Sequence, residues 1–179
     1  MGMTDTDSAL VTDITDLILH EHEDFRRRFV ELWDLRHSGE PAALAAAWQP
    51  LADLLEVHAS AEEEIFYPLL LTKGGDEATE ETDDAVGDHN EIRDAIRAAS
   101  GLETGSDPWW QAVLECRKAN DEHLAEEERE GIPDFREHSD DALRSSLGAR
   151  WVAFHVEHRA ARGISGQDID PEEYVAENS

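Results

Sequence analysis

HASAEEEIFYP, residues 58–68, is the stretch from which we predict the fold and the chemistry of this chain. His58 and Glu62 are four residues apart, and such positions share one face of an α-helix, so an imidazole and a carboxylate can reach the same metal ion or two adjacent ions. One such pair is weak support, because many helices contain one by chance. The pattern recurs in HLAEEEREGIP, residues 123–133, where the histidine, a pair of glutamates and the proline stand at the same offsets. The repeat predicts two halves of one site.

The composition indicates a folded and strongly acidic domain. The 179 residues are enough for one domain with a buried core, and 40% of them are hydrophobic. The 43 acidic residues outnumber the 15 basic ones, and the formal net charge of −28 repels phosphate backbones and anionic membranes. We therefore expect no nucleic-acid partner and no membrane partner.

Signals for secretion or membrane insertion are not recognisable in the sequence. No run of 18 apolar residues exists, and the residues after Met1 form no apolar stretch. Cys116 is the single cysteine and has no partner within the chain, which is typical of a reducing compartment. These features predict a cytoplasmic location.

Apolar residues recur at helical spacing along most of the chain, and no segment alternates as a strand would. Glycine and proline signals delimit five helices, of which the second spans 41–71 and is predicted to kink or lose its first turn at Pro50. Short loops between long helices imply antiparallel neighbours. We predict an all-α fold: an up-down antiparallel four-helix bundle with an additional C-terminal helix and an extended acidic tail. Its parts are a flexible N-terminus (1–12), the bundle domain (13–162) and the tail (163–179).

Two more histidines are predicted to face the core at the level of the repeated motifs. His22 and His89 each have apolar residues at −4, −3, +3 and +7, whereas His20 shares its face with charged residues. Measured from the loops, the four histidines differ in height by two to four residues, about 3–6 Å at roughly 1.5 Å per residue. We therefore predict that six side chains form one layer: His22, His58, Glu62, His89, His123 and Glu127.

A metal centre is the chemistry that such a layer predicts. Burying two carboxylates and four imidazoles without compensation costs several kcal/mol for each group. Mixed nitrogen and oxygen donors without thiolate are typical of di-iron carboxylate bundles. If both glutamates bridge two six-coordinate ions, about two positions stay open, which favours a reactive centre over a closed structural one.

The six positions, in this order and spacing, resemble the hemerythrin-like family with the HHE cation-binding domain. The resemblance covers about residues 13–133 and implies a non-haem di-iron centre, with two iron ions joined by an oxo or hydroxo bridge, inside a four-helix bundle. It implies O2, peroxide or NO as the small partner molecule. Oxygen-carrying members have a further histidine four residues after the third-helix histidine; here that position is Arg93, which argues against simple reversible O2 carriage.

Further residues are candidates for roles around the centre. Glu63 follows Glu62 and is expected beside the ligands or at the surface. Tyr67 is expected to pack, to hydrogen-bond near the centre or to ligate iron, and Cys116 to face the core. His155 and His158 on the fifth helix are candidates for an extra nitrogen ligand or a gate, with packing and capping as the alternative.

Three functions remain open from the sequence. The first is an iron protein that binds or reacts with O2, peroxide or NO, with a peroxide- or NO-detoxifying enzyme as one form of it. The second is a non-catalytic module that senses or stores iron or oxygen, and the third is an iron donor in iron–sulfur cluster repair. Monomer and homodimer are both compatible with the sequence.

Overall fold

The computed structural model describes residues 12–37 and 40–179, and within these ranges the chain is helical without any strand. Most of the predicted N-terminal segment, 1–12, lies outside the described residues. No described helix combines the length and the apolar character needed to cross a membrane. The α-helices are α1 (Ile14–Asp34), α2 (Pro41–Ala61), α3 (Tyr67–Lys73), α4 (Ala78–Ser100), α5 (Asp107–Arg129), α6 (Gly131–His138), α7 (Asp141–Glu157) and α8 (Pro171–Asn178).

Local capping signals account for where the long helices begin. The Asp13 carboxylate accepts a hydrogen bond of 2.9 Å from the backbone N–H of Thr15 at the start of α1. Ser106 caps α5 through its hydroxyl oxygen, which accepts from the N–H of Trp109. Pro41 is the first residue of α2, where its missing N–H removes no hydrogen bond.

The second predicted helix is interrupted at a different proline from the one expected. α2 continues through Pro50 and keeps its first turn, so the predicted split at this residue was wrong. The interruption comes before Pro68, where Glu62–Phe66 form a π-helical turn between α2 and α3. Pro68 has no N–H and its ring crowds the carbonyl four residues earlier, which explains why the regular helix cannot continue there.

The second motif is interrupted at a similar distance from its histidine. α5 ends at Arg129 and α6 begins at Gly131, with Glu130 between them in a non-helical conformation (φ −123°, ψ −73°). Pro133, at the same offset as Pro68, lies in the first turn of α6. The regular helix therefore ends at Glu62 in the first motif and within one turn after Glu127 in the second.

Two hydrophobic clusters flank the layer of histidines. On α1, His22 lies between Ile18 of one cluster and Phe25 of the other. On α4, His89 likewise lies between Val86 and Ile92. The polar layer is thus enclosed between two apolar regions, which excludes bulk water from it.

The C-terminal region packs over α1, α2 and α4. α7 contacts α1 and α2, and α8 contacts α4 and α3. Gly148 permits the close approach of α7, because a Cβ at this position would lie 1.7 Å from the carbonyl oxygen of Thr12.

The tail differs from the predicted extended segment at its end. Residues 164–170 contain no helix, but Pro171–Asn178 form α8, which Asp170 caps by accepting from the N–H of Glu173. The buried ring of Tyr174 attaches α8 to the rest of the protein.

Candidate metal centre

The structure brings the six predicted side chains into two adjoining groups of potential metal ligands. His22, His58, Glu62 and Glu127 form the first group, and Glu62 with His89 and His123 forms the second. Within each group the potential ligand atoms lie within 4.8 Å of one another. All six side chains are buried. Glu62 is the shared member, whereas Glu127 belongs to the first group only.

The Nε2 atoms of the histidines face the two carboxylates. His58 Nε2 lies 2.9 Å from Glu62 Oε1, and His22 Nε2 lies 3.2 Å from Glu127 Oε2. On the other side, Glu62 Oε2 lies 3.1 Å from His89 Nε2 and 3.8 Å from His123 Nε2. Glu62 therefore directs one oxygen toward each group.

Four atoms of the first group have no hydrogen-bond partner although they are buried. They are the Nε2 atoms of His22 and His58, Oε1 of Glu62 and Oε2 of Glu127. These atoms approach one another closely, but their geometry is not that of hydrogen bonds. Unpartnered buried polar atoms are rare and costly. A cation placed between them would satisfy all four, so the donor set fits a metal ion.

The outer nitrogens of the histidines are held by a second set of carboxylates. In three histidines Nδ1 lies 2.9 Å from a carboxylate oxygen. The pairs are His22 with Glu128, His58 with Glu21 and His89 with Glu63. The fourth pair is looser, with 3.7 Å between His123 Nδ1 and Asp88 Oδ2. A carboxylate at Nδ1 holds the proton of a neutral imidazole there and directs the Nε2 lone pair inward, as metal-binding histidines require.

Glu21 was not predicted, and it connects the centre to α7. Its Oε1 accepts a hydrogen bond of 3.0 Å from the indole N–H of Trp151, and its Oε2 lies 3.1 Å from Nε2 of His155. The Trp151 ring also packs edge-on against the His58 ring at 5.4 Å. His155 therefore contacts Glu21, and neither ligand group includes it.

Glu63 is part of a buried charge network with Arg93. Glu63 Oε1 lies at His89, while Oε2 accepts a hydrogen bond of 2.8 Å from Nη2 of Arg93. The Arg93 side chain is almost fully buried, and its Nε lies 3.6 Å from Oε2 of Glu56. The guanidinium thus balances negative charge beside the centre.

Tyr67 lies between the two carboxylates of the centre. Its hydroxyl is 3.4 Å from Glu62 Oε2 and 3.3 Å from Glu127 Oε1. Burial, together with the negative charges of Glu127 and Glu62, raises the pKa of Tyr67 well above its ordinary value. Tyr67 is therefore a neutral hydrogen-bond donor to the carboxylates.

The electrostatics of the layer favour positive charge. Burial alone favours neutral imidazole, but the facing carboxylates outweigh it and raise the pKa of His58 to about 10 and that of His89 to about 9. The pKa of Glu62 is held well below its ordinary value by His58, His123 and His89 despite burial. Without a metal, protons on the histidines provide the positive charge that the carboxylates require.

Two other predicted residues lie outside the ligand groups. Cys116 is buried in one apolar cluster, and burial raises the pKa of its thiol. His158 caps the end of α7, where its Nδ1 donates to the carbonyl oxygen of Arg162 and its ring packs on Phe154.

A small cavity lies beside the second group. It has a volume of about 30 Å³ and is lined by Tyr67, His123 and Glu127, together with acidic side chains of α4 and α5 and the residue that follows α5. A water molecule needs about 10–15 Å³ on this measure. The cavity therefore has room for a water-sized or diatomic molecule next to the candidate ligands.

Comparisons with known proteins agree with this site. No curated protein and no solved structure matches the chain. The family model described as the Hemerythrin HHE cation binding domain matches residues 13–135, which include all six candidate ligands. With two thirds of its length matched, and with a buried set of histidines and glutamates that could hold metal, the chain belongs to the hemerythrin HHE cation-binding family.

Proposed function

We propose that the protein is a non-haem di-iron protein that binds or reacts with a small molecule such as O2, peroxide or NO. The observation that carries the proposal is the set of four buried, unpartnered ligand atoms in the first group. Their donor types, imidazole nitrogen and carboxylate oxygen without thiolate, suit iron better than a closed zinc site. Glu62, with one oxygen toward each group, is the residue that would bridge two ions.

The bundle topology is part of the proposal. Contacts at different heights support antiparallel packing of α1 and α5, since His22 meets Glu127 while Trp33 packs on Trp110 at 5.9 Å. The α2–α4 pair is supported in the same way by Glu63 with His89 and by Glu56 with Arg93. An up-down arrangement would place one histidine of each long helix in a common layer.

The two groups differ in a way that bears on reactivity. The first group has four ligand side chains and the second has three, so the second leaves more coordination positions open. The 30 Å³ cavity is lined by one member of each group, His123 and Glu127, so it is open to both. We infer that the small molecule binds on the His89 and His123 side.

Iron would supply redox chemistry and sites for a small ligand. The protein would contribute orientation of the imidazoles through Glu21, Glu63 and Glu128, and exclusion of bulk water by the apolar clusters. Tyr67 would hold a proton at Oη, 3.3–3.4 Å from both carboxylates.

A non-catalytic iron or oxygen sensor is the second candidate. The buried carboxylates and imidazoles that a metal would satisfy lie in the layer between both clusters, so metal binding would stabilise the entire fold. That coupling between iron and stability is what a sensor needs, whereas an enzyme also needs turnover.

Iron loading of the purified protein tests the proposal. We expect two irons per chain after anaerobic addition of Fe(II), a higher unfolding temperature, and ultraviolet bands of an oxo-bridged pair after oxidation. His58→Ala should lose iron, because it removes a ligand of the first group. The control His20→Ala changes an exposed histidine of α1 and should keep both irons.

The outcome also separates the candidate functions. Rapid consumption of hydrogen peroxide or NO by the iron-loaded protein would exclude the sensor. Tight binding with a large gain in stability and no turnover would exclude the enzyme. Fewer than about one iron per chain, unchanged by His58→Ala, would overturn the metal centre itself.

A further inference from the structure

A groove of about 830 Å³ is lined by α1, α2, α7 and the turn that follows α7. Its volume is in the range of sites for organic ligands, roughly 300–1,000 Å³. The 30 Å³ cavity beside the centre has different lining residues. The groove is therefore separate from the cavity beside the candidate metal ligands.

The walls of the groove are largely apolar. Leu17, Leu54 and Val57 line it from α1 and α2, and Val152 and Val156 line it from α7. The two valines are four residues apart on the helix and are 46% and 71% exposed. Exposed aliphatic side chains in a concave surface are typical of a ligand site.

Two arginines that line the groove have no acidic partner among the described residues. Arg159 and Arg162 line the groove, and neither forms an ion pair with any described residue; Arg162 only donates from Nε to the carbonyl oxygen of Arg159. This is unusual in a chain with 43 acidic and 15 basic residues, where most other arginines are paired. Two unpaired guanidiniums provide a site for an anion.

The backbone that presents these arginines is strained. Ala160 and Ala161, the residues between them, have φ values of 57° and 54°. Alanine in the left-handed region costs about 1 kcal/mol or more, and such strain tends to occur at functional sites. The turn is held in a costly conformation with both guanidiniums at the same groove.

The acidic residues of the lining are already engaged. Glu21 accepts from Trp151 and contacts His58 and His155 at the inner end, and Asp53 accepts from the amide of Gln49. The remaining basic residue, Arg28, is paired with Asp24. The charge left for a ligand is therefore that of Arg159 and Arg162 less that of Asp53, because the amide of Gln49 is neutral.

We propose that this groove binds an amphipathic organic anion, a carboxylate with an aliphatic chain. Its apolar body lies along Val152 and Val156, and its carboxylate pairs with Arg159 and Arg162. The inner end of the groove reaches Trp151, so a bound ligand alters the environment of that indole. The site is formed by the protein alone and does not depend on metal.

Binding of decanoate, compared with neutral 1-decanol, tests the proposal. We expect decanoate to bind, with a change in tryptophan fluorescence, and to bind at least tenfold more tightly than 1-decanol at low salt. Arg159→Gln with Arg162→Gln should weaken decanoate binding about tenfold and change 1-decanol binding less than twofold. Arg159→Lys with Arg162→Lys should retain most of the decanoate affinity.

Arg150→Gln is the matched control, because Arg150 is an exposed arginine of α7 without an ion pair among the described residues and does not line the groove. It should leave decanoate binding unchanged. The proposal is overturned if decanoate does not bind at millimolar concentration, or if all three variants bind it equally. It is also overturned if the native chain dimerises and the double glutamine variant does not, since a second copy would then cover the groove.

Discussion

Glu81 is a carboxylate that the fold disfavours in its charged form. Burial and the nearby charges of Asp134, Glu130 and Glu77 raise the pKa of Glu81 to about 7 from an ordinary 4.5. Its Oε2 is buried and has no hydrogen-bond partner. The folded state therefore binds the Glu81 proton more tightly than the unfolded state does.

The sign of the pH dependence follows from this difference. Below pH 4.5 the residue is protonated in both states and costs nothing, and the penalty develops between pH 4.5 and 7. Glu81→Gln should thus raise the free energy of unfolding at pH 8, with the gain vanishing near pH 4.5. Urea unfolding at both pH values measures it. Glu80→Gln removes the same charge from an exposed position of α4, and an equal gain there would contradict the argument.

Helical periodicity was sufficient to predict which histidines and glutamates are buried, but not which carboxylates contact those histidines. It distinguished buried His22 from exposed His20. Glu21 stands four residues after Leu17 and four before Phe25, a row that already indicated an inward position, but its partner His58 lies on another helix. Asp88 of α4, for which no contact with a histidine was predicted, likewise has its partner His123 on another helix. Pairs between helices depend on how each helix is rotated, which one sequence does not determine.

At the scale of elements, α8 donates a hydrogen bond to the turn before Pro68, which the proline itself cannot donate. In the π-helical turn, the N–H of Tyr67 bonds to the carbonyl of Glu62. The next donor would be residue 68, which has none, so the Glu63 carbonyl lacks an intrahelical partner. The hydroxyl of Tyr174 donates to this oxygen at 2.5 Å. The tail helix thus completes the turn that carries Glu62 and Glu63.

Tyr174→Phe tests this contact, because it retains the ring and removes the donor. A buried carbonyl left unsatisfied costs about 1–3 kcal/mol, so we expect a loss of about that size in chemical denaturation. Thr72→Val removes an exposed hydroxyl bond to the Pro68 carbonyl and should change stability by less than about 0.5 kcal/mol. Equal effects of the two substitutions would show that the Glu63 carbonyl is satisfied without α8.

Elements with long apolar rows were predictable, and short ones were not. The five long helical segments follow from spacing and from glycine and proline signals. The π-helical turn depends on how Pro68 is accommodated, and α8 has a single buried side chain, Tyr174. Its start, the cap Asp170 followed by Pro171, is a signal of the same kind as the start of α5, where Ser106 is the cap and Pro108 lies in the first turn. The signal alone did not suffice, because eight residues form a stable helix only when they dock.

For the whole molecule, the net charge of −28 is a source of self-repulsion. Most of the basic residues are already neutralised by local ion pairs, such as Arg136 with Asp16 and Arg144 with Asp13. The uncompensated remainder is therefore almost entirely negative. Salt screens the repulsion between these negative charges where they lie far apart on the surface.

Raising NaCl from 0.01 M to 0.5 M shortens the screening length from about 30 Å to roughly 4 Å. Long-range repulsion is removed over this range, whereas ion pairs in direct contact are weakened less. We expect the unfolding temperature to rise by about 4 °C or more, which corresponds to roughly 1–2 kcal/mol for a chain of this size. Calorimetry in the presence of a chelator measures the effect without a contribution from metal.

The gain in unfolding temperature should level off near 0.5 M NaCl, because screening saturates, while a preferential-exclusion effect would continue to grow with concentration. A fall in unfolding temperature would mean that the local ion pairs outweigh the self-repulsion of the acidic surface.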